Sequence, residues 1–298
     1  MEDILIIGHK GYIGSCLYKH LSNDFNVSGV DLCWFSKPEN AIDYKTLTRS
    51  YLSSFKSIIL LAGHSSVRQC LNNRESSFKN NVDNFVNILE KIEDQKFIYA
   101  SSSSVYGRVL AKEEYGLETL DRYISENNYD LSKYIIDQYA KLSNKQYYGL
   151  RLGTVSGYSS NLRIDLMINA MVNSAIENGY LKVFEGHINR PILGINDLSR
   201  AVLKILKTNS NNSGIYNLAS FNSTSMEIAK KISEIMNCEI IEVTSENKGS
   251  YDFKINSNKF QRTFDFNFDD NIESIVYSLK KNMHLAQKSM RDKGVKYV

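Results

Sequence analysis

The chain has 298 residues, 42% hydrophobic and 23% charged, with a formal net charge of +3. That length holds one large domain or two modest ones around an ample core, and the composition is that of an ordinary globular protein. So small a net charge argues against nucleic acid or an anionic membrane as the main partner. The most basic segment, Lys280 to Val298, carries six Lys/Arg against Asp292 and reads as a solvated helix or a frayed end. Cys16, Cys33, Cys70 and Cys238 form no CxxC pair and the five histidines are scattered, so no metal site is expected. The apolar surroundings of "GSCLY" and "DLCWF" suit reduced thiols in a cytoplasmic protein. The opening "MEDILIIGHK" has only a four-residue apolar run, too short for a signal peptide, and no run approaches the roughly 18 apolar residues that span a bilayer.

In chain order, short apolar runs alternate with segments of helical period. "ILII" (4–7), "NVSGV" (26–30), "SIILLAG" (57–63), "KFIYASS" (96–102) and "YYGLRLG" (147–153) read as buried strands. Over 82–92, Val82, Phe85, Val86, Leu89 and Ile92 recur at helical spacing. Over 131–142, Leu131, Tyr134, Ile135, Tyr139 and Leu142 do the same, with Gln138 as a polar interruption. Such alternation predicts an α/β fold with a doubly wound parallel sheet. After residue 157 the polar "GYSSNLR" leads into a helical segment over 163–178, then "LKVFEG" and "PILGIND". The expected division is a first domain of 1–157, rejoined by 188–208, and a smaller C-terminal substrate-binding lobe, 158–298. There is no internal repeat, and Pro38 and Pro191 alone make no proline-rich linker.

The segment "ILIIGHKGYIGSCLYKHL" places Gly8, Gly11 and Gly14 between the first strand and the first helix. A turn that tight needs positive φ, and phosphate reaches backbone N–H groups only where side chains are absent. GxxGxxG is a variant of the dinucleotide fingerprint. Here the second strand ends in Asp31, whose carboxylate would accept hydrogen bonds from an adenosine ribose and repel a 2′-phosphate, so NAD is favoured over NADP.

"NNYDLSKYIIDQ" puts Tyr129 and Lys133 at i and i+4 on one helical face. An ammonium near a phenol favours the phenolate, lowering a pKa of about 10 and making Tyr129 a plausible base for an alcohol proton. The fourth strand ends in the serines of "YASSSSVYG", and the carboxyl ends of strands are where open α/β sheets bind ligands. A serine there can hydrogen-bond the oxygen that the tyrosine deprotonates.

These pieces together resemble an extended short-chain dehydrogenase/reductase of the NAD-dependent epimerase/dehydratase family, which acts on nucleotide sugars on a Rossmann fold. The matching segments are "GHKGYIG", Asp31, "LLAGHSSV", "NNVDNFVNILE", "YASSSSVYG", "YDLSK", "RLGTVSG" and "RPILGINDLSRAV", in family order over roughly residues 4 to 208. The resemblance implies that Tyr129 is the catalytic base and acid, that Lys133 tunes it and binds the nicotinamide ribose, and that Ser102 is the active hydroxyl. It implies cofactor contacts at Gly8, Gly11, Tyr12, Ile13, Gly14, Asp31, Asp43, Tyr44, Leu61, Ala62 and Gly63. Substrate contacts are implied at Ser66, Ser103, Ser104, Thr154, Phe184 and Arg190, with Phe184 flanking the nucleobase and Arg190 gripping the diphosphate; Asn81 supports the loops. Lys248 stands where a second nucleotide-gripping arginine is expected, a point charge in place of a guanidinium fork. The family pattern further implies a cytoplasmic homodimer through a four-helix bundle of 82–92 and 130–142, serving nucleotide-sugar metabolism and polysaccharide biosynthesis.

Dehydratases of the family carry an Asp–Glu pair directly after the active hydroxyl, and xylose-forming decarboxylases a glutamate before "VYG". Here those positions are Ser103 and Ser104. The run is similar instead to that of 4-epimerases acting on UDP-linked hexoses, N-acetylhexosamines or uronic acids, where several hydroxyls hold a 4-keto intermediate in two orientations. The alternative is an NAD(P)H-dependent reductase of a nucleotide-linked 4-keto-6-deoxy sugar; a non-catalytic cofactor sensor is disfavoured by the retained Tyr129 and Lys133.

Overall fold

The computed structural model describes residues 1–36, 40–107, 114–115, 125, 127–243 and 251–289. Six strands form one parallel sheet: β1 (Asp3–Ile7), β2 (Asn26–Val30), β3 (Ser57–Leu60), β4 (Lys96–Ser102), β5 (Tyr147–Leu152) and β6 (Gly214–Leu218). Their order across the sheet is β6-β5-β4-β3-β1-β2. The first five are the apolar runs read from the sequence. The sixth, "GIYNL", lies beyond 188–208 and adds to the edge by pairing Ile215 with Gly149 and Leu218 with Leu152.

The continuous apolar runs have a direct cause. Along β1, Ile4 and Ile6 face one helical layer and Leu5 and Ile7 the other, all fully buried. A sheet covered on both faces needs apolar side chains on both. Four helices supply the cover: α1 (Tyr12–Leu21), α2 (Asn84–Lys91), α3 (Asn128–Leu142) and α4 (Ile195–Lys207). α1 and α4 pack together on one face through Leu17, Leu21, Leu198, Val202 and Ile205. α2 and α3 cover the other with Phe85, Ile88, Leu89, Ile136 and Ala140.

Two sequence expectations shift. The helix expected over 82–92 is entered through a π-helical stretch, Lys79–Asp83, whose wider turn buries Asn80 and Asn81 beside the cavity described below. The helix expected over 163–178 runs only Met167–Asn178, because Asn161–Arg163 form a strand paired with Gln287–Ser289. The start of the basic tail is exposed, as a solvated tail should be: Lys280, Lys281, Gln287 and Lys288 all stand at the surface. The helix Ile272–Asn282 is packed through Ile275, Val276 and Leu279, and Met283 is buried behind it; residues 290–298 lie outside the described residues. No helix among the described residues is long and apolar enough to cross a membrane.

Candidate active site

Strand order reverses at β1: α1 leads to β2 on one side, while β3 and β4 lie on the other. A crevice opens at such a switch point, at the carboxyl ends of the strands. Here it is a cavity of about 290 Å³, bounded by the turn after β1, the ends of β2, β3 and β4, and the start of α3.

The glycines divide into two kinds. Gly8 has φ +95°, and a Cβ on it would stand 2.6 Å from the Ala62 nitrogen; a Cβ on Gly14 would stand 2.0 Å from the Gly8 carbonyl oxygen. Both are required by the packing of the chain on itself. Gly11 is different, since its Cβ would meet only the Gly8 oxygen, at 3.3 Å. It is the N-cap of α1 with no side-chain cap, so the N–H groups of the first turn stay open toward the cavity it lines. A bare helix N-terminus of this kind suits a pyrophosphate. Tyr12, Ile13 and Gly14 line the same wall. Asp31 accepts from the backbone N–H of Lys10 (2.9 Å) and of Cys33 (2.7 Å), which fixes its carboxylate at the cavity. This cradle and carboxylate fit a dinucleotide with a free ribose 2′-hydroxyl.

Leu61, Ala62 and Gly63 line the cavity after β3. Asn81 ties that loop to α3: its Oδ1 accepts from the His64 N–H (2.8 Å), while its Nδ2 donates to the His64 carbonyl (3.0 Å) and the Ser132 hydroxyl (3.3 Å). Burial lowers the His64 pKa to about 4, so its imidazole is neutral. Tyr44 lines the cavity with its hydroxyl donating to the Asn80 carbonyl (2.6 Å). Asp43 lies apart. It caps the short turn Tyr44–Thr46, pairs with Lys45 at 2.8 Å, and lines a neighbouring hollow.

Ser102, Ser103 and Ser104 meet Tyr129 and Lys133 across the cavity. Ser102 Oγ lies 2.8 Å from Ser104 Oγ, accepts from the Ser104 N–H (3.2 Å), and hydrogen-bonds with the Tyr129 phenol. Lys133 stands 5.8 Å from the Tyr129 ring centroid and donates to the Ala100 carbonyl at 2.7 Å. Burial pushes Tyr129 up to about 12, against the lowering effect of the Ser102 bond, and pushes Lys133 down to about 8. The spacing argument expected the ammonium to lower the phenol. In the structure desolvation outweighs it, because the lysine's donor is directed at a backbone carbonyl and lies over the ring.

Behind this pair, Arg151 of β5 and Asp137 of α3, both with fully buried side chains, form an ion pair at 2.8 Å. Asp137 also accepts from the Tyr99 hydroxyl (3.0 Å), and Arg151 donates to the Tyr106 hydroxyl (3.2 Å). This network fastens α3 to the sheet one helical turn beyond Lys133.

Thr154 and Arg190 also line the cavity, the latter on the strand Asn189–Gly194. Burial lowers the Arg190 pKa, while Glu185 and Asp252 act in the opposite direction. Ser66 does not line the cavity; it caps the helix Val67–Asn72 by accepting from the Gln69 N–H at 3.1 Å. Phe184 does not line it either, and stands 54% exposed at the end of the strand Tyr180–Phe184. Lys248 lies outside the described residues. Sequence reasoning missed Trp34, Phe35, His64, Arg163, Tyr251 and Phe253, all of which line the cavity. Trp34 and Phe35 were within reach, as they lie three and four residues after Asp31. Arg163 forks onto Asp165 (2.6 and 3.2 Å) inside a segment read as helix. Among the described lining residues, Asp31 is the only carboxylate.

The model of the NAD dependent epimerase/dehydratase family matches residues 4–219. Protein CapI of Staphylococcus aureus is 27% identical over 235 residues, covering 68% of this chain and 69% of that protein. Among solved structures, the UDP-glucuronic acid 4-epimerase of Bacillus cereus, in complex with UDP-glucuronic acid and NAD, superposes with a TM-score of 0.81 at 20% identity, over 95% of this chain and 99% of that one. The dTDP-glucose 4,6-dehydratase of Bacillus anthracis, in complex with NAD, gives 0.79 at 19% identity, over 96% and 99%. With the glycine cradle, Asp31 and the Tyr129/Lys133 helix meeting at the switch point, and the family model spanning most of the length, the chain belongs to the NAD dependent epimerase/dehydratase family.

Proposed function

We propose that the protein is an NAD-dependent nucleotide-sugar 4-epimerase. The observation that carries this reading is the composition of the cavity wall. Hydroxyls of Ser102, Ser103 and Ser104 face Tyr129 and Lys133, and the single carboxylate among the described lining residues, Asp31, belongs to the cofactor end. Elimination of water needs a carboxyl acid and base at the sugar, whereas alcohol oxidation and ketone reduction need only a proton acceptor that can return the proton. The solved relative from Bacillus cereus, a 4-epimerase, holds both UDP-glucuronic acid and NAD, which supports a UDP-sugar as the substrate class.

In this reading the Gly11 end of α1 would hold the pyrophosphate of NAD and Asp31 its adenosine ribose, and the cofactor would supply hydride acceptance and return. Ser102 orients the sugar O4, and Tyr129 takes its proton as the alcohol becomes a ketone. Lys133 would hold the nicotinamide ribose. Ser103, Ser104 and Thr154 offer hydrogen bonds to the 4-keto sugar in either orientation, and Tyr129 returns the proton after the sugar turns. Arg190 grips the diphosphate as a fixed fork. The first domain, 1–157 rejoined by 188–208, would hold the cofactor and the reacting sugar, and the lobe within 158–298 the rest of the nucleotide sugar.

The test is turnover of UDP-, GDP-, CDP- and dTDP-sugars followed by NMR without added cofactor. Interconversion of C4 epimers by the protein as purified, lost in Tyr129→Phe with bound NAD retained, is the expected result. Product that forms only with stoichiometric NADH or NADPH would establish the 4-keto reductase instead, and undiminished turnover in Tyr129→Phe would refute the mechanism.

A further inference from the structure

A single buried amide ties together the two main-chain segments that orient Asp31. The Asp31 carboxylate takes its position from two backbone donors, the N–H of Lys10 in the glycine turn (2.9 Å) and the N–H of Cys33 just after β2 (2.7 Å). Both segments are fastened in turn from the strand Asn161–Arg163. Asn161 Nδ2 donates to the Lys10 carbonyl at 2.7 Å and to the Phe35 carbonyl at 3.0 Å. Asn161 is buried, and its Oδ1 makes no hydrogen bond among the described residues. A buried amide is costly unless it is hydrogen-bonded, so this one contributes through its two donated bonds. The Phe35 carbonyl also accepts from Gln287 Nε2, at 3.2 Å. Gln287 is placed there by the parallel pairing of Gln287–Ser289 with Asn161–Arg163 and by its own N–H, which donates to the Ser160 carbonyl at 2.8 Å. The turn so held requires it: Cys33 has φ +60°, a left-handed conformation that a residue with a Cβ keeps only where its surroundings impose it.

We propose that Asn161, backed by Gln287, is a positioning residue for the adenosine end of the cofactor. By clasping Lys10 and Phe35 it sets the Asp31 carboxylate and keeps the turn that carries Trp34 and Phe35 closed on the cavity, so that NAD leaves slowly. The inference rests on reading Asp31 as the acceptor for the adenosine ribose. Asn161 does not itself line the cavity, whereas Asp31, Trp34 and Phe35 do, so it acts through them. Trp34 meets the His64 ring edge-on, with 5.1 Å between centroids, which rests the turn against the loop after β3. Release of a dinucleotide lying along this wall needs the turn to swing out. That motion breaks the Asn161 and Gln287 bonds to Phe35 together and frees Asp31 from its Cys33 donor.

The experiment follows exchange of bound NAD against deuterated NAD by mass spectrometry. In the same samples, acrylamide quenching reports the exposure of Trp34, the only tryptophan of the chain. Asn161→Leu, similar in size and without a donor, is expected to speed exchange about tenfold and to increase quenching, since two hydrogen bonds are lost. Gln287→Glu is expected to speed exchange about threefold. Gln287→Lys, which gives the Phe35 carbonyl a donor again, is expected to exchange at the parent rate. An unchanged rate in Asn161→Leu, faster exchange with Trp34 quenching unmoved, or equal rates in Gln287→Glu and Gln287→Lys overturns the proposal. Should Asn161→Leu fail to fold, the Gln287 variants decide, because that side chain is exposed. Asp31→Ala separates the clasp from the reading it rests on. Fast exchange there beside a parent rate in Asn161→Leu refutes the clasp, whereas a parent rate in Asp31→Ala refutes the ribose role of Asp31.

Discussion

Replacing Asp137 by asparagine should destabilise the protein strongly without touching the cavity surface. Asp137 Oδ2 accepts from Arg151 Nε at 2.8 Å and Oδ1 from the Tyr99 hydroxyl at 3.0 Å, with the side chains of Asp137 and Arg151 fully buried. An asparagine can keep its oxygen on Tyr99 only by turning its NH2 toward the guanidinium, donor against donor. The Arg151 cation would then remain in the core with the Tyr106 hydroxyl as partner and no countercharge. Breaking one side of a buried pair costs about 3–5 kcal/mol, a large part of the roughly 5–15 kcal/mol that keeps a domain folded. Urea unfolding of the two proteins at equal NAD saturation measures it. The double variant Asp137→Leu/Arg151→Met, which removes both charges, should cost less than Asp137→Asn alone. A loss under about 1 kcal/mol for Asp137→Asn, or strict additivity in the double variant, would refute the claim that the pair acts as a unit in fastening α3.

The glycine turn should separate folding from cofactor binding: Gly14→Ala, with its methyl 2.0 Å from the Gly8 oxygen, should unfold or fail to express, whereas Gly11→Ala should fold with near-parent circular dichroism and lose bound NAD. Lys133 makes stability depend on pH. Its folded pKa, about 8, lies below the unfolded 10.5, so between these values the unfolded chain binds the extra proton and stability rises with pH. The urea midpoint of Lys133→Met should lack that rise when compared with the parent between about pH 8 and 9.5, a range that ends before the raised tyrosines begin to act oppositely. A homodimer across α2 and α3 is expected to bury Leu131 and Leu142, which are 38% and 89% exposed, since Phe85, Ile88 and Leu89 are already taken up by the sheet. Light scattering that shows a monomer at micromolar concentration would rule out that assembly.

Much of this molecule is legible in its residues taken in order. Local rules act over a few positions, and they placed β1 to β5, the turn at Gly8–Gly14 with the acid Asp31 after it, and the pairing of Tyr129 with Lys133 on one helical face. They also placed the serines at a strand end, where a parallel sheet presents its ligands. Other features depend on partners distant in the chain, and only the tertiary structure decided them. Gln287–Ser289 turn Asn161–Arg163 into a strand, so Arg163 meets the cavity in place of lying on a helix. Asp43 and Phe184 leave the cavity, while Trp34, Tyr251 and Phe253 enter it. The proton affinities of Tyr129 and Lys133 were decided there too. Helical spacing brings an ammonium near a phenol, but the sign of each shift follows from how much water the fold removes, and here burial is the first cause in both.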